Sequence, residues 1–565
     1  MNQTNTIEPS FQIQKSQGTT PSIWRFGVVS VSLILALPVF TVLSFVFYPA
    51  GEVWEHLAAT VLPEYVSNSL LLMFGVAVGT LLVGVSTAWL TTMCRFPGRR
   101  VFEWALLLPM AMPAYIIAYT YTGMFDFAGP VQTSLRELTS WGYGDYWFPE
   151  VRSLDGAMIM LTLVLYPYVY LLTRAAFLEQ SLCVLEVSRT LGCGPWQSFA
   201  KIALPLARPS IIAGLSLALM ETLADYGTVQ YFGVGTFTTG IFRTWFGLGD
   251  DVAAAQLAAL LMVFVFILII LERWSRRRVR YHHTSQRYRP PHGYQLHGWR
   301  AFMAFMICLM PLFLGFLLPG GQQMVWAIQT AGDMVDESFI TLTWHSLILA
   351  GSASLLALLL ALFLGYGNRL RPSWMVVSAV RLSGMGYAVP GTVIAIGVMI
   401  PFAWLDNTID AWFRSSFGIS TGLILSGTIV ALLFAYMVRF LAVSLQTVEA
   451  ALGKIKQSAD DAARSLGRRP VEVLKDVHMP LMRGSLLTAI LLVFVDVLKE
   501  LPATMILRPF DFNTLAVRAY ELASDERLAD SSTAAIAIVL AGIVPVILLS
   551  RSITRSRKEH DTTRG

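Results

Sequence analysis

The sequence predicts an all-α polytopic membrane protein, with about twelve transmembrane helices in two parallel-repeat six-helix halves. Three observations carry this. Hydrophobic residues make up 55% of the 565-residue chain and charged residues 14%, with a mean hydropathy of +0.60. A soluble domain carries about 25% charged residues, so this chain cannot cover a water-facing surface. A soluble enzyme, a secreted disulfide scaffold and a disordered chain are excluded as whole-chain readings. Apolar runs long enough to span a bilayer recur along the chain. A polar segment also recurs with fixed spacing at matched places in the two halves.

In chain order, residues 1–23 read as a cytoplasmic tail, with Lys15 the only basic residue before position 25. No charged start leads into a short apolar core with a small-residue cleavage site, so a removable signal peptide is not expected. The first half, 24–272, holds apolar runs at about 24–49, 66–92, 102–124, 157–178, 210–232 and 252–272. Residues 273–298 are basic and polar, contain Pro290-Pro291, and read as a cytoplasmic linker. Its Arg276-Arg277-Arg278 run reads as a topology anchor beside a span, not as a nucleic-acid site. The second half, 299–552, has runs at about 299–319, 342–366, 374–404, 420–447, 484–507 and 531–550. Residues 553–565 form a second cytoplasmic tail. Cys94, Cys183, Cys193 and Cys308 show no paired metal spacing and read as small apolar fillers.

Basic residues set the orientation. One set of connections carries Arg95, Arg99, Arg100, Arg189, Lys201, Arg208, Arg369, Arg371, Lys454, Lys456, Arg464, Arg468 and Arg469. The alternate segments 50–64 and 321–341 have none, yet hold Glu52, Glu55, Glu64, Asp333, Asp336 and Glu337. The basic set therefore faces the cytoplasm, and an even span count places both termini there.

The halves are related. Glu186-Val187-Ser188-Arg189-Thr190-Leu191-Gly192 precedes Ile202-Ala203-Leu204-Pro205, and Asp461-Ala462-Ala463-Arg464-Ser465-Leu466-Gly467 precedes Val477-His478-Met479-Pro480. Every matched position is offset by 275. Upstream, Ser69 pairs with Ser346 and Pro113 with Pro390, offset by 277. An even number of spans per half gives both repeats one orientation, related by an axis along the membrane normal. Each repeated segment (about 181–209 and 448–483) falls between a fourth and a fifth span and reads as helix, turn, helix. Gly192 and Gly467 permit the turn. Ser188, Ala462 and Ala463 let another surface approach. Pro205 and Pro480 are expected to limit the end of the second helix.

That pattern of acid, two small residues, three residues, glycine, nine residues and I-x-L-P resembles the coupling motif of ABC importer permeases, the fused two-half type. The resemblance implies docking to a separate cytoplasmic ABC ATPase, in two copies, through Glu186, Ser188, Gly192, Leu204 and Pro205, and through Asp461, Ala462, Ala463, Gly467 and Pro480. Val187-Ser188 stands for the usual Ala-Ala, and Asp461 for the usual Glu. The sequence has no G-x-x-x-x-G-K-[S/T] run. The chain is thus expected to be a transport subunit, not an enzyme, with no cofactor bound directly and ATP on the partner. A periplasmic substrate-binding protein, the lipid bilayer and a bacterial inner-membrane location are implied as well; nucleic acid is not.

Glu221-Thr222-Leu223-Ala224-Asp225-Tyr226-Gly227-Thr228, Lys499-Glu500-Leu501-Pro502-Ala503-Thr504 and Leu515–Glu521 resemble the ferric iron permeases of that family. Ferric iron is the implied substrate; thiamine and phosphonate are alternatives. Independently, Glu221 and Asp225 share a helical face, and Asp496 and Glu500 are their equivalents at offset 275. Acids inside spans face partners or a wet cavity. These four are candidates for a substrate pathway with transient oxygen ligation of ferric iron; capping or local pairing, with Lys499 beside Asp496, is the competing reading. The aromatics Trp141, Tyr143, Tyr146, Trp147 and Phe148 of segment 124–156, and the charged tract 508–530, are docking candidates for the binding protein. A secondary transporter with two six-span halves is the rival of another class. Its basic-loop pattern is weak here, and it has no reason to repeat a coupling segment.

Overall fold

The computed structural model describes residues 22–49, 51–142, 145–179, 194–277, 294–370 and 372–543. Twelve principal helices correspond in order to the expected runs, although the expected 374–404 is split into Trp374–Ser383 and a helix that starts only after Pro390. In the first half these are α1 (Ser22–Ser44), α2 (Leu62–Met93), α3 (Ala114–Phe125), α4 (Leu154–Glu179), α5 (Leu204–Ala224) and α6 (Asp251–Arg277). In the second they are α7 (Trp299–Met334), α8 (Glu337–Leu370), α9 (Gly391–Phe417), α10 (Ile429–Lys454), α11 (Met479–Leu498) and α12 (Leu528–Ile543). The chain is an all-α polytopic membrane protein. Among the described residues, the only strands are Cys94–Arg95 and Tyr294–Gln295, which pair in parallel and tie the end of the linker to the base of α2.

Ten helices are long and apolar enough, among the described residues, to cross a bilayer unaided. The two shortfalls from twelve have physical causes. The expected third span, 102–124, is broken: Arg99–Ala111 and Ala114–Thr139 meet at 89°. Pro113 lacks an N–H and takes an extended ψ of 142°, so the helix restarts after it. α12 is short within the described residues, and 544–550 of the expected last span lie outside them. α7 also continues past its expected end at 319 to Met334, through Gly320-Gly321. The buried Gln323 there donates to Thr120 Oγ1 of α3 at 2.7 Å, which holds the extra turns against the first half.

The repeat is visible in the backbone. α4 and α10 match end for end at the offset of 275, and single-turn π-helices occupy Phe199–Ala203 and Leu474–His478 at the same offset. These π turns correct an expectation. Pro205 and Pro480 do not end the preceding short helices. Helix runs unbroken from Trp196 to Ala224 and from Pro470 to Leu498, with each proline in the turn after the π-helix. The wider turn absorbs the hydrogen bond that proline cannot donate.

The halves exchange their first spans. α1 lies against α9 and Trp374–Ser383, while α7 lies against α2, α3 and α4. Trp24 stacks on Phe363 of α8 at 5.4 Å, and Tyr121 donates to Leu314 O at 2.7 Å. At the α1–α9 crossing, a Cβ on Gly397 would stand 2.3 Å from Pro38 O, so only glycine permits this approach. The covalent halves are therefore two interlocked bundles in space.

Candidate functional site

The bundles meet around a cavity of about 120 Å³ lined by both halves. Glu221, Asp225, Asp496 and Glu500 all line it, together with Arg439, Lys499, Tyr168 and Tyr387. α5 and α11 supply the acids where each helix stops. α5 ends at Ala224, and Asp225 turns extended, with ψ 133°. A short helix follows each break: Gly227–Tyr231 in one half and Pro502–Leu507 in the other.

Two of the acids cap these short helices. Asp225 accepts the Thr228 and Val229 N–H groups, each at 3.1 Å, and the Thr228 hydroxyl at 3.0 Å. Glu500 accepts the Ala503 N–H at 2.9 Å, the Thr504 N–H at 3.0 Å and the Thr504 hydroxyl at 2.6 Å. Free helix N–H groups and an N-terminal dipole suit a carboxylate there. The other two acids pair with cations. Asp496 lies 2.9 Å from Lys499, and Glu221 lies 4.0 Å from Arg439, which also reaches Glu500 at 3.4 Å. Tyr168 and Tyr387, one from each half, share a hydroxyl contact of 3.3 Å. All four predicted acids thus share one cavity: Asp225 and Glu500 cap helices, and Glu221, Asp496 and also Glu500 are ion-paired.

Sequence reasoning missed Arg439, a lone cation in an otherwise apolar run. A charge in mid-span was the signal that could have found it. The capping roles were also legible, as Asp225 and Glu500 stand three and four residues ahead of Thr228 and Thr504 respectively.

The second repeated segment forms a knob. Helix Gln457–Ser465 closes in a Schellman turn: Gly467, at φ +82°, donates to Arg464 O at 2.9 Å, and Arg468 donates to Ala463 O at 3.1 Å. Asp461, Ala462, Leu466 and Gly467 are exposed, whereas Ala463 is buried against the bundle. Pro480 is exposed at the start of α11. Below the knob, the buried Asp460 binds Arg369 Nε at 2.8 Å and lies 2.6 Å from His478 Nε2. Arg369 also donates to Leu452 O and, at 2.8 Å, to Ile455 O. This mount was missed because Asp460 reads as surface beside Asp461. Glu186, Ser188 and Gly192 of the first repeat lie outside the described residues; Leu204 is half-buried and Pro205 exposed at the start of α5.

On the opposite side, Arg152 makes a two-pronged pair with Glu526 at 3.0 and 2.9 Å, which joins the halves. These hydrogen bonds hold the Glu526 carboxyl below its ordinary value. Trp147 is exposed, while Tyr146 stacks on Trp141 and donates to Gln132. Tyr143 lies outside the described residues.

Two interlocked six-helix halves thus share a cavity, and a helical knob stands on the connection before α11. Residues 80–281 match the family described as binding-protein-dependent transport system inner membrane component. The chain is 26% identical to the Fe(3+)-transport system permease protein FbpB 2 of Haemophilus influenzae, over 93% of this chain and 98% of that one. It is 23% identical to the ferric transport system permease protein FbpB of Actinobacillus pleuropneumoniae, over 86% of this chain and 69% of that one. The molybdenum transport system permease protein ModB of Escherichia coli is 25% identical over 34% of this chain and 84% of its own. The first two similarities run through both halves, as in a fused permease.

Proposed function

We propose that this chain is the transmembrane permease of an ATP-driven ABC importer that moves ferric iron, delivered by a periplasmic binding protein, into the cytoplasm. The observation that carries the reading is one acid-lined cavity between the two halves, on the same chain as a repeated coupling segment. Carboxylates and phenols offer the oxygen ligands that a hard cation prefers. Four acids against two cations disfavour an anionic solute such as a phosphonate. The names of the fused relatives favour ferric iron over thiamine.

In this reading the chain hydrolyses nothing itself and holds no cofactor. ATP is consumed by two copies of a cytoplasmic ATPase, one at each knob. The exposed Asp461, Ala462 and Gly467 enter a cleft on that subunit, and Glu186, Ser188 and Gly192 do the same from the first half. Leu204, Pro205 and Pro480 mark where each knob joins its fifth span, so a push on the knob moves α5 or α11 and hence the cavity acids. The outer segments 124–156 and 508–530, joined by Arg152 and Glu526, receive the binding protein. Both termini are cytoplasmic: a reporter after Gly565 should read as inside and one near Asp145 as outside. The function is tested by solute uptake in a strain lacking the gene, comparing ferric iron, thiamine and phosphonate. Loss of ferric iron uptake alone is expected; loss of another solute with iron uptake intact would overturn the substrate.

A further inference from the structure

The cavity acids obey the internal repeat and the cavity cations do not. Glu221 matches Asp496, and Asp225 matches Glu500, at the offset of 275. At the same offset Arg439 of α10 replaces Val164 of α4, and Lys499 replaces Ala224. Val164 and Ala224 line the cavity too, so all four positions are comparable. Both cations thus stand on the second half alone, where the repeat supplies small apolar residues on the first.

Arg439 is fitted to its place. Its side chain is 9% exposed and lies between Glu221 of the first half and Glu500 of the second. Among the described residues its buried Nε has no hydrogen-bond partner, so part of its donor capacity at the cavity is unused. A Cβ on Gly391 would stand 2.1 Å from Arg439 Nη1, so a side chain there would displace the guanidinium from its present place. The first-half counterpart of Gly391, at the offset of 277, is Ala114, which lines the same cavity. Arginine and glycine occur together in one half; valine and alanine stand in the other.

We propose that Arg439 and Lys499 are internal counter-cations, which hold the place of a metal cargo among the carboxylates and keep the cavity from trapping it. The inference rests on the reading of ferric iron as substrate. A trivalent cation facing four uncompensated carboxylates would be held too tightly to move on, and passage needs weak or transient ligation. Arg439 spreads one positive charge across Glu221 and Glu500, and Lys499 occupies Asp496. Among the described residues no three His, Cys, Asp or Glu side chains converge closely enough to hold a metal ion. An arriving cation competes with the two side chains for their acids, and their return displaces it.

The test is metal retention by the purified complex of this chain with its ATPase, equilibrated with ferric nitrilotriacetate, gel-filtered and assayed for iron per chain. Wild type should retain only trace iron. Arg439→Met should bind iron at least tenfold more tightly and import it more slowly, and Arg439→Lys, which keeps the charge but not the fork, should retain less iron than Arg439→Met. Adding Glu221→Gln to Arg439→Met should abolish the gain, which places the retained metal at these acids. Because Arg439→Met leaves Glu500 buried without its partner and can misassemble, Lys499→Met on the more exposed side provides a second arm with the same expected gain. The proposal is overturned if neither methionine variant retains more iron than wild type. If wild type imports no ferric iron in cells, the substrate reading fails instead, and the retention result still decides whether these cations weaken metal binding.

Discussion

Replacing Gly467 with valine separates backbone conformation from packing at the knob. Gly467 holds φ +82° as the left-handed residue of the Schellman turn, and a Cβ built there meets nothing within 4 Å among the described residues. Within this chain, any effect of a side chain is therefore conformational, and the asparagine variant separates it from crowding of the partner subunit. The left-handed region costs an L-residue about 1–2 kcal/mol, and a β-branched residue falls at the upper end or beyond. That corresponds to a roughly five- to thirty-fold loss in the fraction of knobs that keep the turn. Asparagine tolerates this region, so Gly467→Asn should lose little, with Gly467→Ala in between. The assay is binding of the ATPase to the purified permease in nanodiscs, with ATP hydrolysis stimulated by loaded binding protein as a second readout. Helix content and membrane insertion should not change. The first-half knob remains in the single variant, so Gly192→Val is added to test the pair. If Gly467→Val with Gly192→Val binds and stimulates the ATPase as wild type does, these turns do not carry coupling.

Three further outcomes follow from the geometry. Glu221→Gln with Asp496→Asn keeps side-chain shape, and ferric iron uptake should fall at least tenfold while protein level and basal ATP hydrolysis hold; unaltered uptake would leave these acids as structural partners of Arg439 and Lys499 only. Asp460→Asn removes the charge that Arg369 and His478 share beneath the knob, at a cost of about 3 kcal/mol for a broken buried pair; ATPase binding should weaken while cavity behaviour is retained, as read by ATPase affinity and thermal unfolding. For the Arg152–Glu526 pair, the folded carboxyl titrates below its ordinary value of 4.5, so its stabilisation is present above that pH and is lost as pH falls through the lower folded value. The Glu526 side chain is 63% exposed, so the contribution stays under about 1 kcal/mol. The gap in melting temperature between wild type and Arg152→Gln should be small at pH 7 and close below pH 4.5; a gap that grows on acidification would reverse the sign.

Spans and repeat were legible because both rest on local pattern. An apolar run of span length has few alternatives in a bilayer, and the offset of 275 carries straight through to the ends of α4 and α10. What the sequence hid were tertiary choices. Nothing local says that α1 leaves its own half to cover α9, since either bundle offers an apolar face. Pro205 and Pro480 looked like terminators because proline removes a donor, but a π turn one step earlier lets the helix pass. The break at Pro113 was hidden inside a run of suitable length. At the site, the four acids were found by position within spans and by their repeat. Arg439 has no repeat partner, so the pairing that marks the acids does not mark it. The mount at Asp460 joins residues 369, 460 and 478, a grouping visible only once the second half has folded.

The central claim is that this chain passes ferric iron inward at the expense of ATP hydrolysed by another subunit. The direct measurement is radioactive iron accumulation in proteoliposomes that contain this chain and its ATPase, with ATP inside and ferric-loaded binding protein outside. Accumulation should require all three partners and stop when ATP is omitted or the ATPase is inactivated. Accumulation that persists without ATP and follows an ion gradient would contradict the account and identify a secondary transporter.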